Sequence, residues 1–363
     1  MVYKIKDKFP YVILALAGGI VGLVAGYNIM SMVDNGENIL LATFDIFAIF
    51  FITYFIHLIL HEAGHLIFGL ISGYKFVSFR VGSLILVKEE GKFKFKRYSL
   101  AGTGGQCLLS PPDYNDGNYP YVLYNLGGVF INSILTIIFL IIYLMAKPQG
   151  LLGLFCVFMV ACGIMALLIN GVPMKTEFVT NDGHNALHLS QDKDALKVFW
   201  STLVINAKQM EGTKLSDMDP NLFEISDNAD LKNTMITPIL GVKENLYLEQ
   251  HKFDEAKNLI DKLLSNECAV SGIQENLLKT DRLYIDVIQN GKDADLSILE
   301  DKKFKSFMRA MKNYPNVLRT NYVIEKVKGN EEEAKKIKEA FEKVACSYPY
   351  KAEIETERKL MEV

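Results

Sequence analysis

The amino-acid sequence predicts a mostly α-helical protein in two parts: a multi-span helical membrane domain carrying a small re-entrant or hairpin β element, then a soluble all-α domain with a helical-repeat pattern. Three observations predict this. Half of the 363 residues are hydrophobic, yet nearly all the long apolar runs lie before residue 171. Beyond residue 186 the chain becomes charged, with apolar residues at helical spacing and few strand signals. Between the apolar runs, residues 75–98 hold short segments rich in Val, Phe and Ile, the second of which alternates with Lys as a strand does. The chain is therefore divided into 1–37, a first anchor and short link; 38–185, the membrane core; and 186–363, the helical domain.

The first apolar run, 11–32, follows Lys4, Lys6 and Lys8. Its length of about twenty residues exceeds a signal-peptide core, and no small-x-small cleavage site follows it, so it is expected to stay as an anchor. Further spans are expected over 39–71, 119–145 and 150–169. Lysine and arginine placement sets the orientation: Lys4, Lys6 and Lys8 precede the first span, none lies in 31–37, and Lys75, Arg80, Lys88, Lys92, Lys94, Lys96 and Arg97 crowd the loop 73–118. Positive charge inside places both termini, the long loop and the helical domain in the cytoplasm of a multi-pass cell-membrane protein.

The net charge of −3 and the lack of a basic patch with interleaved aromatics exclude a nucleic-acid partner. Five cysteines, an odd number without a C-x-x-C pair, give neither a disulfide framework nor a thiolate zinc site.

The second span carries His61-Glu62-Ala63-Gly64-His65 after the apolar run ATFDIFAIFFITYFIHLIL. Histidines four apart lie on one helix face, where both imidazoles reach a single zinc ion. Glu62, adjacent to the first, is placed to take a proton from water activated by the metal. His57, one turn earlier, extends the stripe and reads more simply as a buried histidine bonded to a neighbouring helix.

In the loop, the runs FVSFRVGSLILVKEE and KFKFKRYSL flank a turn at Glu89-Glu90-Gly91 and predict a hairpin. Its exposed edge would either be an ordinary hairpin edge or hold an unwound substrate by strand addition. Residues 101–106 (AGTGGQ) and Pro111-Pro112 cannot form a regular helix and are expected to dip back toward the membrane.

Two histidines leave zinc short of a third protein ligand. The polar cluster after the fourth span, Asn170-Gly171-Val172-Pro173 and then Asn181-Asp182-Gly183-His184, offers Asp182 first, with His184, His188 and Glu177 as alternatives. Asp182 also fits the cap of a short helix over 185–189.

H-E-x-x-H in a membrane span, paired with N-x-x-P and a following D-G after a later span, resembles the site-2 protease family of intramembrane zinc metalloproteases. The resemblance covers roughly residues 39–185. It implies that His61, His65 and Asp182 bind Zn2+, that Glu62 is the general base, and that Asn170 steadies the site or the developing oxyanion. Asn132, in Gly127-Gly128-Val129-Phe130-Ile131-Asn132, matches a glycine-and-asparagine pattern on the intervening span. In the best-known members the aspartate follows the proline after a shorter gap, and the family's PDZ-like segment has no counterpart here.

In the last domain helices are expected over 192–211, 238–250, 253–265, 273–289, 301–312, 315–328 and 331–347. The stretch 254–268 resembles 332–346 with alanine and cysteine aligned, the feature of helical repeats of the tetratricopeptide kind, which bind protein partners. The expected activity is hydrolysis of a peptide bond in a transmembrane or signal-peptide-like segment. The alternatives are a catalytically silent membrane scaffold or immunity-type protein acting through the helical domain, and, less well supported by four spans, a metal transporter.

Overall fold

The computed structural model describes residues 9–36, 38–89, 91–98, 103–115, 117–174 and 180–363. The described residues of Met1–Gly82, Ala101–Asp113 and Tyr119–Gln191 form one compact unit; those of Ser83–Leu100, Tyr114–Asn118 and Asp192–Val363 form a second.

The first unit is built on apolar helices. Helix α1 spans Phe9–Asp34 and α2 spans Ile39–Ile71, the latter started by Asn38, whose side chain accepts from Leu40 N at 2.9 Å. No proline or glycine interrupts α2 before Gly64. Strands β1 (Lys75–Val81) and β4 (Gly105–Ser110) pair antiparallel in this unit. Helix α3 covers Val122–Ala146, and α4 covers Gly150–Ala166 before widening into a π-helical turn, Leu167–Gly171. The short α5, Asp182–His188, closes the unit. Four helical segments, Ala15–Asp34, Ile39–Ile71, Val122–Ala146 and Gly150–Gly171, are long and apolar enough to cross a membrane.

Helix α2 is apolar outside and, from Thr53 to His65, polar inside. Phe44, Phe47, Phe51 and Phe55 of α2 are exposed, whereas Thr53, His57, His61, Glu62 and His65 are buried. That inversion suits a lipid surround. One apolar cluster, Ile46 with Leu154, Phe158 and Cys162, joins α2 to α4 and receives Val21, Val24 and Ile29 from α1.

The second unit includes the hairpin of β2 (Leu84–Glu89) and β3 (Lys92–Arg97), in register from Leu84 opposite Arg97 to Glu89 opposite Lys92. The expected first run of the hairpin is thus split at Gly82, which has a positive φ of 58°. The central turn residue Glu90 and the segment 99–102 lie outside the described residues. Just after β3, Tyr98 meets Tyr348 and Tyr350 edge to face, with ring centroids 5.4 and 5.9 Å apart. Helices follow at α6 (Lys193–Met210), α7 (Thr237–Glu249), α8 (Phe253–Leu263), α9 (Gly272–Asn290), α10 (Lys302–Ala310), α11 (Pro315–Val327), α12 (Glu331–Ala345) and α13 (Lys351–Leu360). The sequence pattern did not indicate α13. Its buried face is Ala352, Ile354, Glu357 and Leu360, so one core position is a glutamate and the apolar period is broken.

The repeated alanines do occupy equivalent places. Ala256 of α8 and Ala334 of α12 are fully buried where those helices pack on α7 and α11.

The centre of this unit is charged. Arg319, fully buried, donates to Asp281, ion-pairs with Glu357 at 3.0 Å, and stacks over the Tyr284 ring at 4.1 Å. Glu244, also fully buried, lies in the same field with no hydrogen-bond partner for either oxygen. One guanidinium cannot balance three carboxylates. Burial, with Asp281 nearby, holds the Glu244 carboxyl well above the usual range against the pull of Arg319, and burial pushes Glu357 up to about 8.

An acid whose folded pKa is raised stabilises the fold fully below its unfolded pKa and loses that contribution as pH rises through the folded value. Trp200 of α6, the single tryptophan, reports unfolding of this unit. Its fluorescence melt is expected to fall by roughly 5 °C between pH 5 and pH 9, and Glu244→Gln, a neutral isostere, should flatten that slope.

Candidate metal centre

Three donor atoms meet inside the first unit. His61 Nε2 and His65 Nε2 are 3.1 Å apart, and Asp182 Oδ2 lies 3.1 Å from the first and 3.4 Å from the second. Among the described residues, this is the group of histidines, cysteines and acids whose ligand atoms all converge on one point. The separations fit an ion: donor atoms about 2.0–2.1 Å from a common centre at tetrahedral angles lie roughly 3.3 Å from one another.

The histidines come from successive turns of α2, as their spacing of four requires. Their outer nitrogens are held by α3. His65 Nδ1 donates to the Tyr124 carbonyl at 2.7 Å; a carbonyl only accepts, so in neutral His65 Nε2 is the bare lone pair. A bare nitrogen facing a carboxylate is repelled unless a proton or a metal ion sits between them. The three donor atoms could hold a metal ion at that centre. Asn132 Nδ2 lies 3.1 Å from His61 Nδ1 and supplies the outer contact there.

Close helix approach makes these contacts reachable. A Cβ at Gly64 would collide with the Gly127 carbonyl, one at Gly127 with the Gly64 carbonyl, and one at Gly128 with the His61 ring. Backbone therefore touches backbone at the level of the site.

Asp182 arrives from the far side. Its alternative role as a cap is taken by its neighbour: Asn181 is the cap of α5 and accepts from His184 N at 3.0 Å. The same Asn181 side chain donates to the Ile169 and Val172 carbonyls at 2.7 and 2.6 Å, and accepts from Met174 N at 2.9 Å. All four of its hydrogen-bonding positions are used. They close the base of the long gap after Pro173, so that Asp182 reaches the histidines despite the intervening residues.

No family model, characterised protein or solved structure matches this chain. The site is therefore interpreted from its own atoms.

Glu62 is buried beside the histidines, and its carboxylate lies against Gly105 at the start of β4, where a Cβ would collide with it. Asn170 lies in the π-helical turn and, among the described residues, makes no hydrogen bond with His61, Glu62, His65 or Asp182. His184 and His188 stack on each other, centroids 4.4 Å apart, and do not join the donor group. Glu177 lies outside the described residues. The segment 101–106 is partly a strand: its described end enters β4, which pairs with β1 from Gly105 opposite Val81 to Ser110 opposite Lys75.

Two contributors were not singled out from sequence. Asn181 is one; its signal was the Asn-Asp-Gly start of a short helix. Arg80 is the other, 1 % exposed in β1 and donating to the carbonyls of Gly82 at 2.7 Å and Gly105 at 3.1 Å and to the Thr103 hydroxyl. It pins the turn that presents Gly105 to Glu62.

His61→Ala and Asp182→Ala are expected to abolish stoichiometric zinc uptake by the purified full-length chain, measured by elemental analysis. Asn181→Ala, which frees the segment carrying Asp182, should weaken uptake about tenfold without removing a ligand.

Proposed function

We infer that this chain is an intramembrane zinc metalloprotease, cutting a peptide bond within a transmembrane or signal-peptide-like segment. The observation that carries it is the convergence of Asp182 on His61 and His65, with Glu62 alongside, the last three on a helix long and apolar enough to span a membrane. Two imidazoles and one carboxylate are the protein donor set of a hydrolytic zinc site, whose fourth position water takes. Zinc, when bound, supplies Lewis-acid polarisation and lowers the pKa of water toward 7.

The chain's own residues do the remainder. His61, His65 and Asp182 hold the ion, and the contacts from Tyr124 and Asn132 fix the rings. Glu62 takes the proton from the attacking water onto a carboxylate oxygen and returns it to the leaving amide nitrogen. A peptide bond is open to attack only after its helix has unwound, and an unwound segment needs partners for its backbone. Among the described residues β4 pairs with β1 alone, so its other edge is free to bind a strand, and its first residue, Gly105, touches Glu62. Strand addition along β4 would lay a scissile bond beside the base.

The lysine and arginine distribution supports a multi-pass cell-membrane location with both termini cytoplasmic. The helical unit then serves as the docking element for a protein partner.

The test compares new protein N-termini in host membranes and medium for the wild-type chain and Glu62→Gln. Termini inside hydrophobic segments should vanish in the variant and thereby identify the substrate. Matching profiles under several growth conditions would remove the protease assignment in favour of a silent scaffold.

A further inference from the structure

A third histidine contacts the site through Asn132. His57 is 2 % exposed on α2, one turn before His61. Its Nε2 lies 2.8 Å from the Met159 carbonyl oxygen on α4, its Nδ1 lies 3.2 Å from Asn132 Oδ1, and Asn132 Nδ2 is 3.1 Å from His61 Nδ1. The pocket is tight. A Cβ on Gly163 would collide with the Thr136 hydroxyl and come within 3.0 Å of His57 Cε1.

The direction of each hydrogen bond follows from one fixed point. A carbonyl oxygen only accepts, so His57 Nε2 carries a hydrogen and donates to Met159. The partners of His57 are a carbonyl and an amide, neither of which balances a charge, and a neutral imidazole donating from Nε2 accepts at Nδ1. The amide as placed, Oδ1 to His57 and Nδ2 to His61, gives His57 Nδ1 no donor, so we infer that its two ends exchange and the Asn132 NH2 turns to His57. The two ends of a primary amide have nearly the same shape, so hydrogen bonding decides which faces where. With its NH2 on His57, the amide presents its oxygen to His61, whose Nδ1 must then carry the hydrogen. His61 Nε2 is left with its lone pair toward Asp182. Without the exchange, Nδ2 on His61 would put the ring hydrogen of a neutral His61 on Nε2 and aim it at the carboxylate, in the space a metal needs.

We propose that His57 is a positioning residue that acts through Asn132 to hold the hydrogen of His61 on Nδ1, keeping Nε2 bare for the ion; this rests on the metal-site assignment above. His65 obtains the same result directly from the Tyr124 carbonyl. Among the described residues His61 Nδ1 bonds to no backbone carbonyl, only to an amide that can face either way. The Met159 carbonyl sets that choice from α4.

The test uses the full-length chain in detergent, with Glu62→Gln throughout so that turnover plays no part, and reads zinc affinity by chelator competition. His57→Phe keeps the ring and loses both nitrogens; it should weaken zinc binding tenfold or more, the usual cost of an outer-shell partner. Asn132→Asp places an acceptor at both ends, which fixes the His61 hydrogen without His57. In that background His57→Phe should cost less than twofold. A merely structural His57 would cost the same in both backgrounds, and that outcome, or an unchanged affinity for His57→Phe alone, overturns the relay. Should the Phe variant aggregate on gel filtration, His57→Leu takes its place in both arms. If the parent binds zinc no better than His61→Ala, the metal site itself fails and the relay with it, which separates the two failures.

Discussion

Helices α2 and α3 touch backbone to backbone at Gly64, Gly127 and Gly128, and the polar interior depends on that contact. Two imidazoles, a carboxylate and a general-base candidate would be costly in an apolar bundle unless each found a partner. The partners are on α3: the Tyr124 carbonyl for His65 and the Asn132 amide for His61 and His57. Neither group reaches if the helices stand apart by the width of a methyl group. Glycine at the crossing thus positions the donor atoms as surely as the histidine spacing does.

Much of this was legible in the sequence because strong periodicity leaves few alternatives. The four apolar helices, the histidine pair on one face and most helices of the second unit lie where spacing and apolar patterning put them. Asp182 was legible only as one of several candidates, since its distance in sequence from Pro173 depends on how the chain closes. Asn181 does that closing through side-chain bonds that no periodicity encodes. Strand β4 was missed because Gly104-Gly105 carries no strand signal and Cys107, Leu108 and Leu109 are all buried, so alternation is absent. Arg80 reads as one more basic loop residue. Only its burial reveals an anchor for the Gly105 turn.

The second unit shows the same limit. Arg319 sits in a helix of ordinary amphipathic pattern, VLRTNYVIEKV, and nothing local marks it as the centre of the core. Its partners come from three other helices: Asp281 from α9, Glu357 from α13 and, more distantly, Glu244 from α7. Charges in such a place add little net stability, but they penalise any packing that leaves one of them alone. Their geometry selects one arrangement of the helices rather than strengthening all of them.

The length of α2 also bears on how hydrolysis could be supplied with its second reactant. Counting from Ile39, the helix climbs roughly 33 Å before it reaches His61, which is about one thickness of hydrocarbon. A span that enters the bilayer at its first turn therefore delivers the histidines to the opposite lipid boundary, with about ten residues of helix still to run. There the headgroup layer is hydrated. Under the proposed activity, water would need to travel only a short way along the polar face, and the deep apolar region would stay dry.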